Sequence, residues 1–119
     1  AILGDCGQQL DLDAGDKDGM SALMLGAREW RTDVVKMLLR AGANPNKQNK
    51  LGHSALFAAA HMGRHNCTEI LLKHGANPGI NDKNGVSALF IASRLGFLPV
   101  VKSLHRSGAS VNTLITNGN

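Results

Sequence analysis

Residues 52–56, Gly-His-Ser-Ala-Leu, decide the fold, because the same Gly-x-Ser-Ala-Leu pattern stands at 19–23 and again at 85–89, at one constant spacing. A Gly-Ala pair recurs with the same spacing later in each unit, at 42–43, 75–76 and 108–109. Agreement at this many positions indicates an internal repeat. A fixed period of this length is typical of stacked supersecondary units.

Each unit predicts two short helices after a polar turn. A serine follows the turn glycine in every unit, in the place of a helix N-cap, and the Ala-rich run after it predicts a first helix. Gly63 and Gly96 would end that helix in two units, since glycine readily adopts the left-handed conformation found just past a helix. Apolar runs predict the second helices, at 34–39, 67–72 and 100–104. Polar, proline-marked segments such as 44–46 predict extended hairpins between units.

The period predicts one array over residues 1–119. Its parts are the tail of a preceding repeat at 1–15, full repeats at 16–48, 49–81 and 82–114, and the start of a further repeat or a C-terminal end at 115–119. Two interpretations remain open: a piece cut from a longer array, or a natural end. Ser103 and His105 favour the natural end, because they replace apolar residues of the other units and predict a weaker stack there.

The unit resembles the ankyrin repeat, whose usual pattern runs Gly-x-Thr-Pro-Leu-His-x-Ala-Ala, then Val-Val-x-Leu-Leu-Leu, then Gly-Ala-Asp-Val-Asn. The match covers nearly the whole chain, with Met24, Phe57 and Phe90 in the place of the family's histidine. The resemblance implies an all-α repeat solenoid, an ankyrin stack of helix-turn-helix units joined by extended β-hairpin loops. It also implies a non-catalytic scaffold for protein–protein interaction.

Composition limits the other classes of function. The apolar run 55–60 is far shorter than the ~20 residues of a membrane span, so we expect no membrane insertion. Residues 1–10 show no secretory signal, and two distant cysteines favour a reduced, intracellular chain in the cytoplasm or nucleus. Cys67 shares an apolar column with Val34 and Val100, which predicts core packing.

The sequence lacks the motifs of an enzyme or a cofactor site. It contains no phosphate-binding glycine loop, no Gly-x-Ser-x-Gly and no calcium loop. His61, His65 and Cys67 lie close together, but Gly63 separates the two histidines and should end the helix between them. We therefore expect no catalysis, no cofactor and no metal.

The resemblance implies that a partner binds the hairpin tips and the concave face of the first helices. By register, the tips carry Lys17, Lys50 and Lys83, followed by Met20, His53 and Val86. The first-helix positions are Arg28, His61 and Arg94, flanked by Glu29, Met62 and Leu95. Two basic columns of this kind favour a partner protein with an acidic or phosphorylated segment. The alternative for the lysines is simple solvation of the turns.

Trp30 stands in register with Gly63 and Gly96, where a left-handed conformation costs a non-glycine residue about 1–2 kcal/mol. Either the first repeat turns differently there, or a contact offsets the strain. Two roles remain open for its indole: packing over the seam between repeats, or anchoring a partner.

Charge leaves two further functions open. Five of the nine acidic residues lie in the first 18 positions, so the remainder is strongly basic. Nucleic-acid or polyphosphate binding is one alternative, although three Phe, one Trp and no Tyr offer few surfaces for base stacking. A structural spacer within a larger protein is the other. We expect the chain to be monomeric.

Overall fold

The computed structural model describes residues 11–108, which form six α-helices in three consecutive pairs. The helices are α1 Ala22–Arg28, α2 Thr32–Arg40, α3 Ala55–His61, α4 His65–Lys73, α5 Ala88–Leu95 and α6 Leu98–Arg106. Most of the predicted preceding tail and all of the predicted further repeat lie outside the described residues.

The first helix of each pair begins as the repeated serine predicts. Ser21, Ser54 and Ser87 have extended backbones, and each hydroxyl oxygen accepts a hydrogen bond from the backbone N–H three residues later, at 3.1 to 3.3 Å. This bond satisfies one of the free N–H groups at a helix start. The pattern Gly-x-Ser-Ala-Leu thus sets both the turn and the helix start.

The hairpins are held by side chains at one repeated position. Asp16, Asn49 and Asp82 each accept hydrogen bonds from the backbone N–H groups two and four residues ahead, at 2.8 to 3.0 Å. The bridges Gly15–Ser21 and Asn81–Ser87 are isolated, so these hairpins are tight turns rather than paired strands.

The helices stack in two layers. The first helices α1, α3 and α5 contact one another in order, and α2, α4 and α6 do the same behind them. Leucines at equivalent positions, Leu23, Leu56 and Leu89, are buried, and fully buried alanines let neighbouring first helices approach closely. Cys67 is fully buried between the layers, which confirms the predicted core packing.

In α6, at the far end of the stack, Ser103 takes part in the contact between repeats, whereas the sequence predicts that it weakens the stack. Ser103 is buried in α6, and its hydroxyl donates to Glu69 Oε2 of α4 at 2.8 Å. His65 Nε2 lies 3.1 Å from the same hydroxyl. The polar residue therefore links two repeats, while His105 is exposed to solvent.

No helix among residues 11–108 is long and apolar enough to cross a membrane.

Candidate partner-binding groove

A groove of about 290 Å³ opens between the first two hairpins and their helices α1 and α3. We call it the first-helix groove. Its lining residues are Met20, Met24, Arg28, Asn49, Leu51, His53, Ser54, Phe57, Ala58, His61 and Met62.

Apolar side chains form the bottom and part of the rim of this groove. Met24 and Phe57 are buried, at positions where the sequence predicts apolar packing in place of a histidine. Leu51 is 63% exposed and Met62 is 40% exposed. Sequence reasoning missed Leu51, although the signal was present: it takes the turn position that Asp18 holds in the preceding hairpin. Because Leu51 and Met62 both line this groove, they add exposed apolar surface to its buried bottom.

A stack of three rings runs along the groove. The rings of His53 and Phe57 are nearly parallel with centroids 4.1 Å apart, and His61 follows Phe57 at 6.1 Å. His53 Nε2 lies 3.2 Å from Asp82 Oδ2 in the next hairpin, and the side chain of Asp82 is only 5% exposed to solvent. His53 is therefore fixed in place by the neighbouring repeat, and His61 forms the exposed end of the stack.

The matching contact one repeat earlier joins an amide to a thioether. Asn49 Nδ2 donates to Met20 Sδ at 3.0 Å, so Met20 also takes part in hairpin stacking. Two residues predicted to bind a partner, Met20 and His53, hence hold adjacent hairpins together and present only part of their surface to the groove.

The positive charge at the groove is smaller than the sequence predicts. Arg28 Nε lies 3.1 Å from Glu29 Oε2, and both side chains are largely exposed. The groove thus brings together five of the predicted binding residues, namely Met20, Arg28, His53, His61 and Met62. The others lie outside its lining: Lys17, Lys50, Lys83, Arg94 and Leu95 are exposed, and Val86 is partly buried.

Trp30 lies at the seam between repeats. Of the two alternatives that the sequence leaves open, the backbone is left-handed, with φ of 64°, and the guanidinium carbon of Arg64 lies 5.3 Å from the ring centroid. Arg64 Nε also donates to the carbonyl oxygen of Arg28 at 3.2 Å. The contact favours the seam interpretation, although the residue is 58% exposed and does not line the groove.

Three titratable groups among residues 11–108 have shifted pKa values, and each shift has a local structural cause. Residues 11–108 contain no group of three His, Cys, Asp or Glu placed to hold a metal ion. Burial raises the pKa of the Cys67 thiol, which the nearby charge of Arg64 partly opposes. The Ser103 hydroxyl lowers the pKa of Glu69, with smaller contributions from His65 and Arg106. Backbone N–H groups of Met20 and Asp18 lower the pKa of Asp16.

Helix pairs that recur at a constant spacing, with capped first helices and tight hairpins, define a stacked helical-repeat protein. A family model of ankyrin repeats in three copies matches residues 30–114. The chain belongs to the ankyrin repeat family, which confirms the resemblance seen in the sequence. No curated protein matches the chain. Ankyrin repeats are generally protein–protein interaction modules and typically non-catalytic.

Proposed function

We propose that the chain is a non-catalytic module that binds a segment of a partner protein in the first-helix groove. The observation that supports this most directly is the exposure of Leu51 and Met62 at one groove with an apolar bottom. An apolar side chain of the partner would enter between these two residues and exclude water from them.

The polar residues of the groove suit an acidic group beside that apolar anchor. Arg28 and His61 lie at the ends of α1 and α3, where they face the same space. The Arg28–Glu29 pair is exposed, and such pairs contribute only ~0–1 kcal/mol, so a carboxylate of the partner could replace Glu29 at little cost. The lysines of the hairpin tips and Arg94 would speed the approach of an acidic segment without direct contact.

Nucleic-acid binding has less support than protein binding. Base stacking needs exposed aromatic faces, which are few among residues 11–108. Phe57 is buried between the rings of His53 and His61, Arg64 lies over the exposed indole of Trp30, and Phe90 is only 36% exposed. We include in the proposal an intracellular location, in the cytoplasm or nucleus, where a buried free thiol such as Cys67 stays reduced.

The test is affinity capture from a cell extract, comparing the wild-type chain with Leu51→Gln combined with Met62→Gln. Both positions are exposed, so the fold should persist, as circular dichroism and a urea midpoint would show. Partner recovery should fall about tenfold or more, because two contacts at the centre of an interface would be lost.

The matched control is Met37→Gln combined with Leu98→Gln, which changes two second-helix residues of similar exposure, 57% and 58%. This variant should retain the partner. If both double variants lose it equally, general surface hydrophobicity explains capture and the groove assignment is wrong. If the Leu51 and Met62 variant retains it fully, the partner binds elsewhere.

A further inference from the structure

A second and larger groove lies between the second helices of the first two repeats. Its volume is about 450 Å³, and we call it the second-helix groove. From α2, it is lined by Thr32, Lys36 and Arg40, which are spaced four residues apart and share one helix face. From α4, it is lined mainly by Glu69, Ile70 and Lys73.

The groove changes character along its length. Because α2 and α4 are equivalent helices in consecutive repeats, Lys36 and Glu69 share one level and Arg40 and Lys73 share the next. Ile70 provides an apolar surface near the middle. The level of Arg40 and Lys73 therefore carries positive charge only, whereas the middle combines a cation, a carboxylate and an apolar side chain.

The cations of this groove are available to a ligand. Within residues 11–108, Lys36, Arg40 and Lys73 are exposed and form no ion pair. Glu69, in contrast, is already bound from the other side by Ser103 at 2.8 Å and by Arg106 at 3.7 Å.

Helix stability explains only part of this arrangement. Arg40 and Lys73 lie in the last turns of α2 and α4, where cations stabilise the helix dipole. Lys36 lies in the middle of α2 and gains nothing from that effect. Charge repulsion among the three would be relieved by a bound anionic group.

We propose that the second-helix groove binds an acidic peptide segment of a partner protein, with an apolar side chain on Ile70 and carboxylates at Arg40 and Lys73. The nine-residue helices span ~13 Å, the length of about four residues of extended peptide. A uniform polyanion such as nucleic acid is disfavoured, because it would meet the carboxylate of Glu69, and the lining contains no Phe, Tyr or Trp for base stacking. This site is separate from the first-helix groove, so the module would bind two segments at once.

The experiment is an NMR titration of the whole 119-residue chain, monitoring backbone amides. The probes are an eight-residue peptide with a central leucine followed by three glutamates, its glutamine counterpart, and inorganic tripolyphosphate. The acidic peptide should produce saturable shifts in α2 and α4, and the glutamine peptide should produce none. Tripolyphosphate should bind several-fold more weakly than the acidic peptide.

The matched variants remove equal charge from two places. Arg40→Gln with Lys73→Gln should weaken the acidic peptide roughly fivefold, from two exposed ion pairs. Lys47→Gln with Lys102→Gln, which removes the same charge outside both grooves, should leave its affinity within twofold. The proposal is overturned by the absence of saturable shifts at millimolar peptide, by shifts confined to the first-helix groove, by tripolyphosphate binding as tightly as the peptide, or by equal effects of the two variants. A negative result in this experiment would not argue against binding in the first-helix groove, because none of the lining residues of that groove is changed.

Discussion

Two seams join the three repeats: the first seam, between the first and second repeats, and the second seam, between the second and third. Both seams use equivalent positions, but the side chains at those positions differ in size and charge. At the first seam, the flat guanidinium of Arg64 lies over the indole of Trp30. At the second, Phe97 takes the place of Arg64 and lies against Gly63, so closely that a Cβ there would come within 2.8 Å of the ring. At the first seam, the large side chain of Trp30 is matched by the flat guanidinium of Arg64. At the second, Gly63 has no side chain, and the ring of Phe97 fills that space.

The hairpins show the same difference in closeness. A Cβ on Gly19, at the first seam, would lie 3.1 Å from Asn49 Cα, whereas one on Gly52, at the second, would lie 2.7 Å from the Lys83 nitrogen. The side-chain links also differ. The first seam has an amide-to-thioether bond, and the second has the His53–Asp82 contact.

The second helices complete the comparison. Ser103 and Arg106 of α6 both reach Glu69 of α4, which bridges the second seam. The second-helix groove between α2 and α4 is larger than the groove between α4 and α6, at about 450 Å³ against about 280 Å³. The first-helix groove lies at the same seam as the larger one. Both grooves that we propose as binding sites therefore lie at the first seam.

The largest difference is expected for alanine at the two hairpin glycines. Both have positive φ, so each substitution carries a strain of ~1–2 kcal/mol. Gly52→Ala also forces a Cβ against backbone of the next repeat, which should add about 2 kcal/mol to its loss of unfolding free energy relative to Gly19→Ala. Urea unfolding measures both. Equal losses would show that the second seam has room to relax.

A smaller difference is expected at the helix-terminating glycines. Gly96 has φ of 80° with no atom within 4 Å of an added Cβ, so Gly96→Ala should show backbone strain alone. Gly63→Ala should cost about 1 kcal/mol more, because the ring of Phe97 must move aside. Combining it with Phe97→Ala should remove that excess. If the excess persists in the combined variant, ring contact is not its cause.

Exchanging the first seam for the second tests their equivalence. Trp30→Gly removes a strain of ~1–2 kcal/mol and loses a cation–π contact of ~0.5–1 kcal/mol, so stability should change by less than about 1 kcal/mol. Adding Arg64→Phe should recover stability only when residue 30 is glycine. A double-mutant cycle by urea unfolding measures this coupling. Additive effects would mean that the two seams are not built alike.

The smallest effect concerns the bridge at the second seam. The Ser103 hydroxyl holds the pKa of Glu69 below its ordinary 4.5. The ionised Glu69 carboxylate therefore stabilises the fold fully above pH 4.5, and this stabilisation is lost as the pH falls through the folded-state pKa. Ser103→Ala should raise the pKa of Glu69 and flatten this part of the pH dependence, as an NMR titration of the Glu69 carboxyl would show. Lys102→Ala, which leaves the bridge intact, should not.

Local patterns in the sequence account for the fold. The spacing of Gly-x-Ser-Ala-Leu predicts caps, turns and helix order. The register with Gly63 and Gly96 marks Trp30 as a special position but leaves two conformations open, of which the left-handed one occurs. These features depend on a few neighbouring residues, whose backbone preferences are strong.

Contacts between repeats were harder to predict. The partners His53 and Asp82 belong to different hairpins, and sequence alone does not say which side chain of one hairpin reaches the next. Once one pair is seen, register gives the other, Met20 and Asn49. The second-helix groove depends on the gap between α2 and α4, which periodicity does not determine. Leu51 was the one missed groove residue with a clear signal in the sequence.

Each hairpin contacts the next through a pair of side chains, so two repeats can be neighbours only if these side chains can interact favourably. Asn49 brings a hydrogen to the thioether of Met20, and Asp82 faces the ring nitrogen of His53. Excision of residues 49–81 would set the Asp82 carboxylate against the Met20 sulfur, two acceptors with no hydrogen between them, and would push Phe97 onto Trp30. Units that look interchangeable in their repeated pattern therefore differ at the joint, and we expect a chain that lacks residues 49–81 to be less stable there.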